Sequence, residues 1–138
     1  MKKLIRFGVS IEESLLDKFD HHIQARAYTN RSEAIRDLIR DELIRVAWEE
    51  GTDELAGTIT LIYDHHVRDL TMVLTDIQHK YNAEIISSMH VHLDAHNCLE
   101  VLAVKGKPQQ LRDIADRLIS TRGVKHGKLV TTTSGKNV

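Results

Sequence analysis

Cysteine is nearly absent from these 138 residues: Cys98 stands alone. No internal disulfide can form, so stability must come from packing, association or metal, and the thiol is free to act as a ligand. No apolar run approaches the roughly 20 residues of a spanning helix, and Met1-Lys2-Lys3 leads into alternating residues where a signal peptide would have an unbroken apolar core. No membrane association and a cytoplasmic location are therefore expected. Nor is there a surplus of charge, with 19 basic against 20 acidic side chains. Gross electrostatics thus give no support to nucleic-acid binding, and any such function must rest on local arrangement. At 41% hydrophobic and 28% charged residues the chain is neither disordered nor fibrous.

What is present begins with an alternating segment. From Leu4 to Ile11, the side chains of Ile5, Phe7, Val9 and Ile11 point one way and Arg6, Gly8 and Ser10 the other, which predicts a strand with one buried face. Ser10 and Glu13 have capping-box spacing, and Leu15, Leu16, Phe19 and Ile23 then recur at helical intervals, so a first helix is expected to about Gln24. Asn30 and Glu33 repeat the cap ahead of Ile35, Leu38, Ile39, Leu43 and Val46, predicting a second amphipathic helix ending near Trp48. One strand and two helices bury too little apolar surface for a stable monomer, so an obligate dimer is expected. Two copies of the strand would make a ribbon that fits the major groove and presents Arg6, Gly8 and Ser10 to base edges. The start of the second helix, with Arg31 and Ser32, suits a DNA phosphate.

The breaker-rich stretch 51–57 reads as a linker, dividing a ribbon-helix-helix domain (1–50) from a second domain (58–138). That domain reads as strand (Thr58 to Tyr63), helix (about Val67 to Lys80), two strands (Glu84 to Leu93, Cys98 to Lys105), a helix opened by Pro108 and stopped by Gly123, and a last strand (Val124 to Thr132). The fold class is α+β, with a βαββαβ ferredoxin-like C-terminal domain whose helices cover one face of an antiparallel sheet and leave the other bare.

Nine histidines accompany the single thiol. In the strand before Cys98, Ile85, Met89, Val91 and Leu93 share a face apolar enough to lie under the helices, which would place His90 and His92 together on the bare face. A five-residue loop, Leu93 to Asn97, sets His92 opposite Cys98 and His90 opposite Glu100. A thiolate and two imidazoles leave a fourth donor to find, and His79 lies on the outer side of its helix, where it could serve only another chain. Such a donor set suits zinc, nickel or copper alike. His65 and His66, between a strand and a helix, read as capping or solvent-exposed residues, and so does His96 in the hairpin loop.

In order along the chain, Arg6-Phe7-Gly8-Val9-Ser10, Asn30-Arg31-Ser32-Glu33-Ala34-Ile35-Arg36-Asp37, Gln78-His79, His90-Val91-His92 and Cys98-Leu99-Glu100 resemble the NikR family of nickel-responsive repressors. The resemblance implies a homotetramer, with two ribbon-helix-helix dimers flanking a core of ACT-like domains, on a palindromic operator that controls nickel-uptake genes. It also implies one square-planar Ni(II) per subunit, held by His90, His92 and Cys98 of one chain and His79 of another, and a secondary cation site at Glu33 and Asp37. Family members often carry a hydroxyl residue where this chain has Gly8, which bears on operator sequence. The rival readings are a zinc-dependent enzyme or metal carrier using the Cys/His group, and, for the N-terminal half alone, a ribbon-helix-helix antitoxin.

Overall fold

A computed structural model describes residues 2–136 and Val138 of the chain. The elements run α1 (Glu13–Ala25), α2 (Arg31–Glu50), β1 (Leu55–Asp64), α3 (Leu70–Lys80), β2 (Ile85–His92), β3 (Asn97–Gly106), α4 (Pro108–Ile119) and β4 (Val124–Thr132). By contact the chain divides into two compact units between Asp41 and Glu42, so α2 contributes 31–41 to the first and 42–50 to the second. No helix among the described residues is long and apolar enough to cross a membrane.

In the first unit α1 and α2 meet over little buried surface: Ile23 and Ala34 are buried, while Leu15, Leu38 and Ile39 stay exposed. The expected strand over Leu4–Ile11 is not formed, and Leu4, Ile5, Phe7 and Val9 are each more than two-thirds exposed. A strand exists only when its N–H and C=O groups find a ladder partner, and a single chain offers this segment none. The predicted cap at Ser10 is also corrected. The N-cap is Glu12, two residues further on, with no side-chain hydrogen bond, so Ser10 and Glu13 straddle the wrong boundary. Asn30 does cap α2, its Oδ1 accepting the Glu33 amide at 2.9 Å.

In the second unit the four strands form one antiparallel sheet in the order β2-β3-β1-β4. Along β1 every second residue from Leu55 to Tyr63 is buried, and β3 matches it with Cys98, Glu100, Leu102 and Val104. On these pack Leu70 and Leu74 of α3 and Leu111, Ile114, Ala115 and Leu118 of α4. Residues 55–57, expected in the linker, are the first three of β1. Helix α3 starts at Leu70, three residues later than expected, because Asp69 before it takes a left-handed conformation (φ 63°). Gly127 keeps α4 close to the sheet, since a Cβ there would lie 2.4 Å from the Ile119 side chain.

Trp48, at the end of α2, belongs to this second core. It is 3% exposed, its indole N–H donates to the Thr132 carbonyl at 2.8 Å, and the Arg112 guanidinium sits 5.6 Å over the ring.

Candidate metal centre

The β2–β3 hairpin has the expected register, with His92 opposite Cys98 and His90 opposite Glu100. The face is the reverse of the one expected. Residues directly opposite in a ladder point to the same side, so His90 and His92 share the side of Cys98, Glu100 and Leu102, which is the helix-covered side. Met89 and Leu93, expected under the helices, are more than half exposed. Two features mislead the strand pattern. An irregularity between Ile85 and Ser87 breaks the two-residue period, returning Ile85 to the core opposite Val104. And β2 is an edge strand, so its helix-side positions from Ser88 to His92 remain exposed although they share the core's face.

The hairpin loop is fixed by Asp94, whose carboxylate accepts from the amides of His96 and Asn97 at 2.8 Å each and from the Asn97 side chain at 2.9 Å. The Asn97 side chain, then these backbone amides, hold the Asp94 carboxyl far below its ordinary range. A depressed folded value means that this stabilisation is complete above the ordinary carboxylate value of about 3.9 and is lost as pH falls through the folded one. The Asp94 side-chain carbon resonance should therefore titrate well below pH 3.9. Titration at the ordinary value would show that the loop is not held this way.

Three donors converge at the end of the sheet. Cys98 Sγ, buried, lies 3.7 Å from His92 Nδ1 and 3.3 Å from His65 Nδ1. All three donor atoms fall within 4.8 Å of one another. Bonds of about 2.0–2.3 Å from one ion to nitrogen and sulfur place neighbouring donors at similar separations, so the trio fits a borderline divalent metal. Two of the four predicted ligands, His92 and Cys98, are thus brought together, and His65, read from sequence as a cap or exposed residue, joins them. Its signal lay in register: Tyr63 pairs with Cys98 and Asp64 with Asn97, so the next residue of the chain must emerge beside the thiol.

His90 sits one step along the same face but turns to other partners, with Nε2 3.3 Å from Glu100 Oε1 and Nδ1 3.3 Å from the Tyr63 hydroxyl. Glu100 is fully buried, accepting from the Tyr63 hydroxyl at 2.8 Å and from the Gln78 amide at 2.7 Å. Burial, then the bond to Glu100, pushes the Tyr63 phenol well above its ordinary value, so it stays a donor at neutral pH. Glu100 thereby ties α3 and β1 to the His90 imidazole. Glu100→Gln would leave an amide facing two donors and free His90, and if His90 is a ligand it should weaken binding of a divalent metal by about 10- to 100-fold. Unchanged affinity in a competition titration would show that His90 needs no such partner. His79, next to Gln78, is exposed on α3 and is not among the converging donors.

In the first unit Arg6, Gly8 and Ser10 are exposed together, as are Arg31 and Ser32. Arg31 forks onto Asp20 through two hydrogen bonds of 2.8 and 2.7 Å, so contact with a phosphate would exchange one anion for another. Glu33 pairs with Arg36, while Asp37 accepts from the Tyr28 hydroxyl at 2.7 Å and from Arg40 at 2.9 Å. Among the described residues no third His, Cys, Asp or Glu donor joins Glu33 and Asp37.

Comparison with known proteins gives this arrangement its context. Residues 56–132 match the family described as NikR C terminal nickel binding domain, and residues 5–46 match ribbon-helix-helix protein, copG family. A relative from Geobacter sulfurreducens is 59% identical over 138 residues, covering 100% of this chain and 99% of its own. One from Pyrococcus furiosus is 57% identical over 135 residues (98% of each chain), and one from Thermococcus kodakarensis 59% identical over 136 residues (99% of each). All three are named nickel-responsive regulators. Trp48 falls between the two matched segments. With a nickel-binding domain, a DNA-binding module and full-length relatives that are regulators rather than enzymes, the chain belongs to the NikR family of nickel-responsive regulators.

Proposed function

We propose that this protein is a nickel-dependent repressor of nickel-uptake genes, acting in the cytoplasm as a homotetramer on a palindromic operator. The observation that carries the reading is the convergence of Cys98 Sγ and His92 Nδ1 at the end of the sheet, beside an edge strand whose helix side is uncovered. A helix from a second copy can lie along that side of β2, and His79 is the donor on α3 that its own chain leaves unused. One ion per subunit would then be held by His90, His92 and Cys98 of one chain and His79 of another. His90 joins by exchanging its contact with Glu100. The shared site is on the helix side of the sheet, at its β2 edge, and not across the bare face.

Nickel, when bound, links two chains and so favours the one arrangement of subunits that has both contributing donors in place. The chain's own residues do the rest. Two N-terminal segments pair as a ribbon, Arg6, Gly8 and Ser10 read base edges in the major groove, and Arg31 and Ser32 with the free N–H groups of α2 take a phosphate. Coupling of ordinary size, about 1–3 kcal/mol per effector event, changes operator affinity roughly 5- to 150-fold, and DNA must tighten nickel by the same factor. Glu33 and Asp37 would add a cation site by trading Arg36 and Arg40 for an ion.

Three variants test the assignment together. Arg6→Ala should keep nickel and lose the operator, with a cost of about 1–3 kcal/mol per base contact. His90→Ala should lose tight nickel binding while His65→Ala keeps it. If His65→Ala is the variant that loses nickel, the ligand set is the one gathered within the single chain and the shared site is wrong.

A further inference from the structure

The first unit carries an ion pair whose partners are brought together by the turn between its helices. Helix α1 ends in a closed turn: Ala27 takes a left-handed conformation (φ 63°), the Tyr28 amide donates back to the Ile23 carbonyl at 3.0 Å, and the Ala27 amide donates to the Gln24 carbonyl at 3.1 Å. The chain then enters α2 under the Asn30 cap, and the Tyr28 hydroxyl ties the turn to Asp37. With the turn held at both ends, Arg31 meets Asp20 of α1 in a two-pronged contact, Nε to Oδ1 at 2.8 Å and Nη2 to Oδ2 at 2.7 Å. The bond to Arg31 holds the Asp20 carboxyl below its ordinary range, so it is ionised at neutral pH. Both side chains stay open to solvent, 55% exposed for Arg31 and 39% for Asp20, so the pair opens at little cost.

We propose that Asp20 is a built-in competitor for the DNA backbone: it occupies the Arg31 fork in place of a phosphate and so lowers the affinity of the module for DNA whose bases it does not recognise. The inference rests on the reading of Arg31 as a phosphate contact. A carboxylate and a phosphate offer a guanidinium the same pair of oxygens, so each can take the place of the other. An arginine that binds a phosphate releases a condensed counterion, and that release drives sequence-independent binding. Here Arg31 turns to DNA by leaving Asp20, and the freed carboxylate takes a cation back from solution, so the exchange gains little on DNA at large. On an operator, base contacts from Arg6, Gly8 and Ser10 supply the difference. Suppressing the backbone contribution raises the ratio of specific to non-specific binding, and that ratio decides occupancy against a genome of competing sites.

The experiment measures binding of the full-length, metal-free protein to random-sequence duplex DNA by fluorescence anisotropy over a range of salt concentrations. Asp20→Asn, which keeps the shape and one acceptor for Arg31, should bind up to about fivefold more tightly for each Arg31 released. The slope of log affinity against log salt should steepen by roughly 0.9 for each, or about two for a pair of chains. Asp20→Ser should repeat Asp20→Asn, with unchanged far-ultraviolet circular dichroism. Arg31→Ala should differ little from wild type, and Asp20→Asn/Arg31→Ala should lose both the gain and the steeper slope. A pair that only staples α1 to α2 gives a lower unfolding temperature in Asp20→Asn with no change in slope, and that result overturns the proposal. So does weaker binding by Asp20→Asn, or a gain that survives in the double variant. If no form of the protein, wild type included, bound duplex DNA at the lowest salt, the DNA-binding reading and the proposal would both fall; DNA binding that ignores Asp20 undoes the proposal alone.

Discussion

Cys98→Ala should abolish the thiolate-to-nickel absorption band and, with it, every nickel-dependent change in operator binding. The sulfur is the atom on which His65 and His92 both converge, and it is the chain's single thiol, so no other residue can supply a thiolate band. Loss of an outer partner of a ligand costs about 10- to 100-fold in affinity, and loss of the ligand itself should exceed that. The fold should survive, because Cys98 to Ala removes one atom from a core otherwise filled by Leu61, Leu74, Leu102 and Leu118. Nickel titration followed by gel shift on the same sample provides the check. A variant that still represses in response to nickel would place the switch elsewhere in the molecule.

Trp48→Ala should be the most destabilising single change in the second unit. Removing a buried tryptophan costs about 3–5 kcal/mol through lost transfer energy and the cavity left behind. Here the Thr132 carbonyl also loses its indole donor and Arg112 its ring. For a unit of this size each kilocalorie per mole moves the midpoint by roughly 4–8 °C, so a fall of about 12 °C or more is expected in thermal unfolding of the metal-free protein. A fall of a degree or two would mean that the residue is not packed as described. Trp48→Phe, which keeps most of the apolar bulk and loses the N–H, separates the two contributions.

These two residues also mark how far the sequence could be read. Cys98 was legible because a five-residue loop between two strands leaves little choice of register, and the ladder then aligns it with His92. Trp48 was read as lying near the end of an amphipathic helix, and α2 runs two residues past it, to Glu50. Its partner, the Thr132 carbonyl, comes from the far end of the chain, and no local period can announce that. The face of β2 was misread for a related reason. Alternation assigns a buried side only where the period is unbroken and a layer covers the strand, and β2 has an irregularity at one end and an uncovered edge position throughout. His65 was missed because a His-His pair after a strand resembles any polar turn. Its role is visible only once β1 is aligned with β3, a long-range pairing that helix and strand signals do not supply.

The unpaired N-terminal segment has a consequence for regulation. Leu4, Ile5, Phe7 and Val9 lie open on a single chain, so in the proposed reading the paired ribbon carrying Arg6, Gly8 and Ser10 would form only when two chains meet. For an obligate pair, stability cannot be separated from protomer concentration. On that proposal copy number would act as a second input beside the metal: with few copies the reading surface would not form whatever the nickel content, and the expression level would set the threshold at which nickel begins to matter.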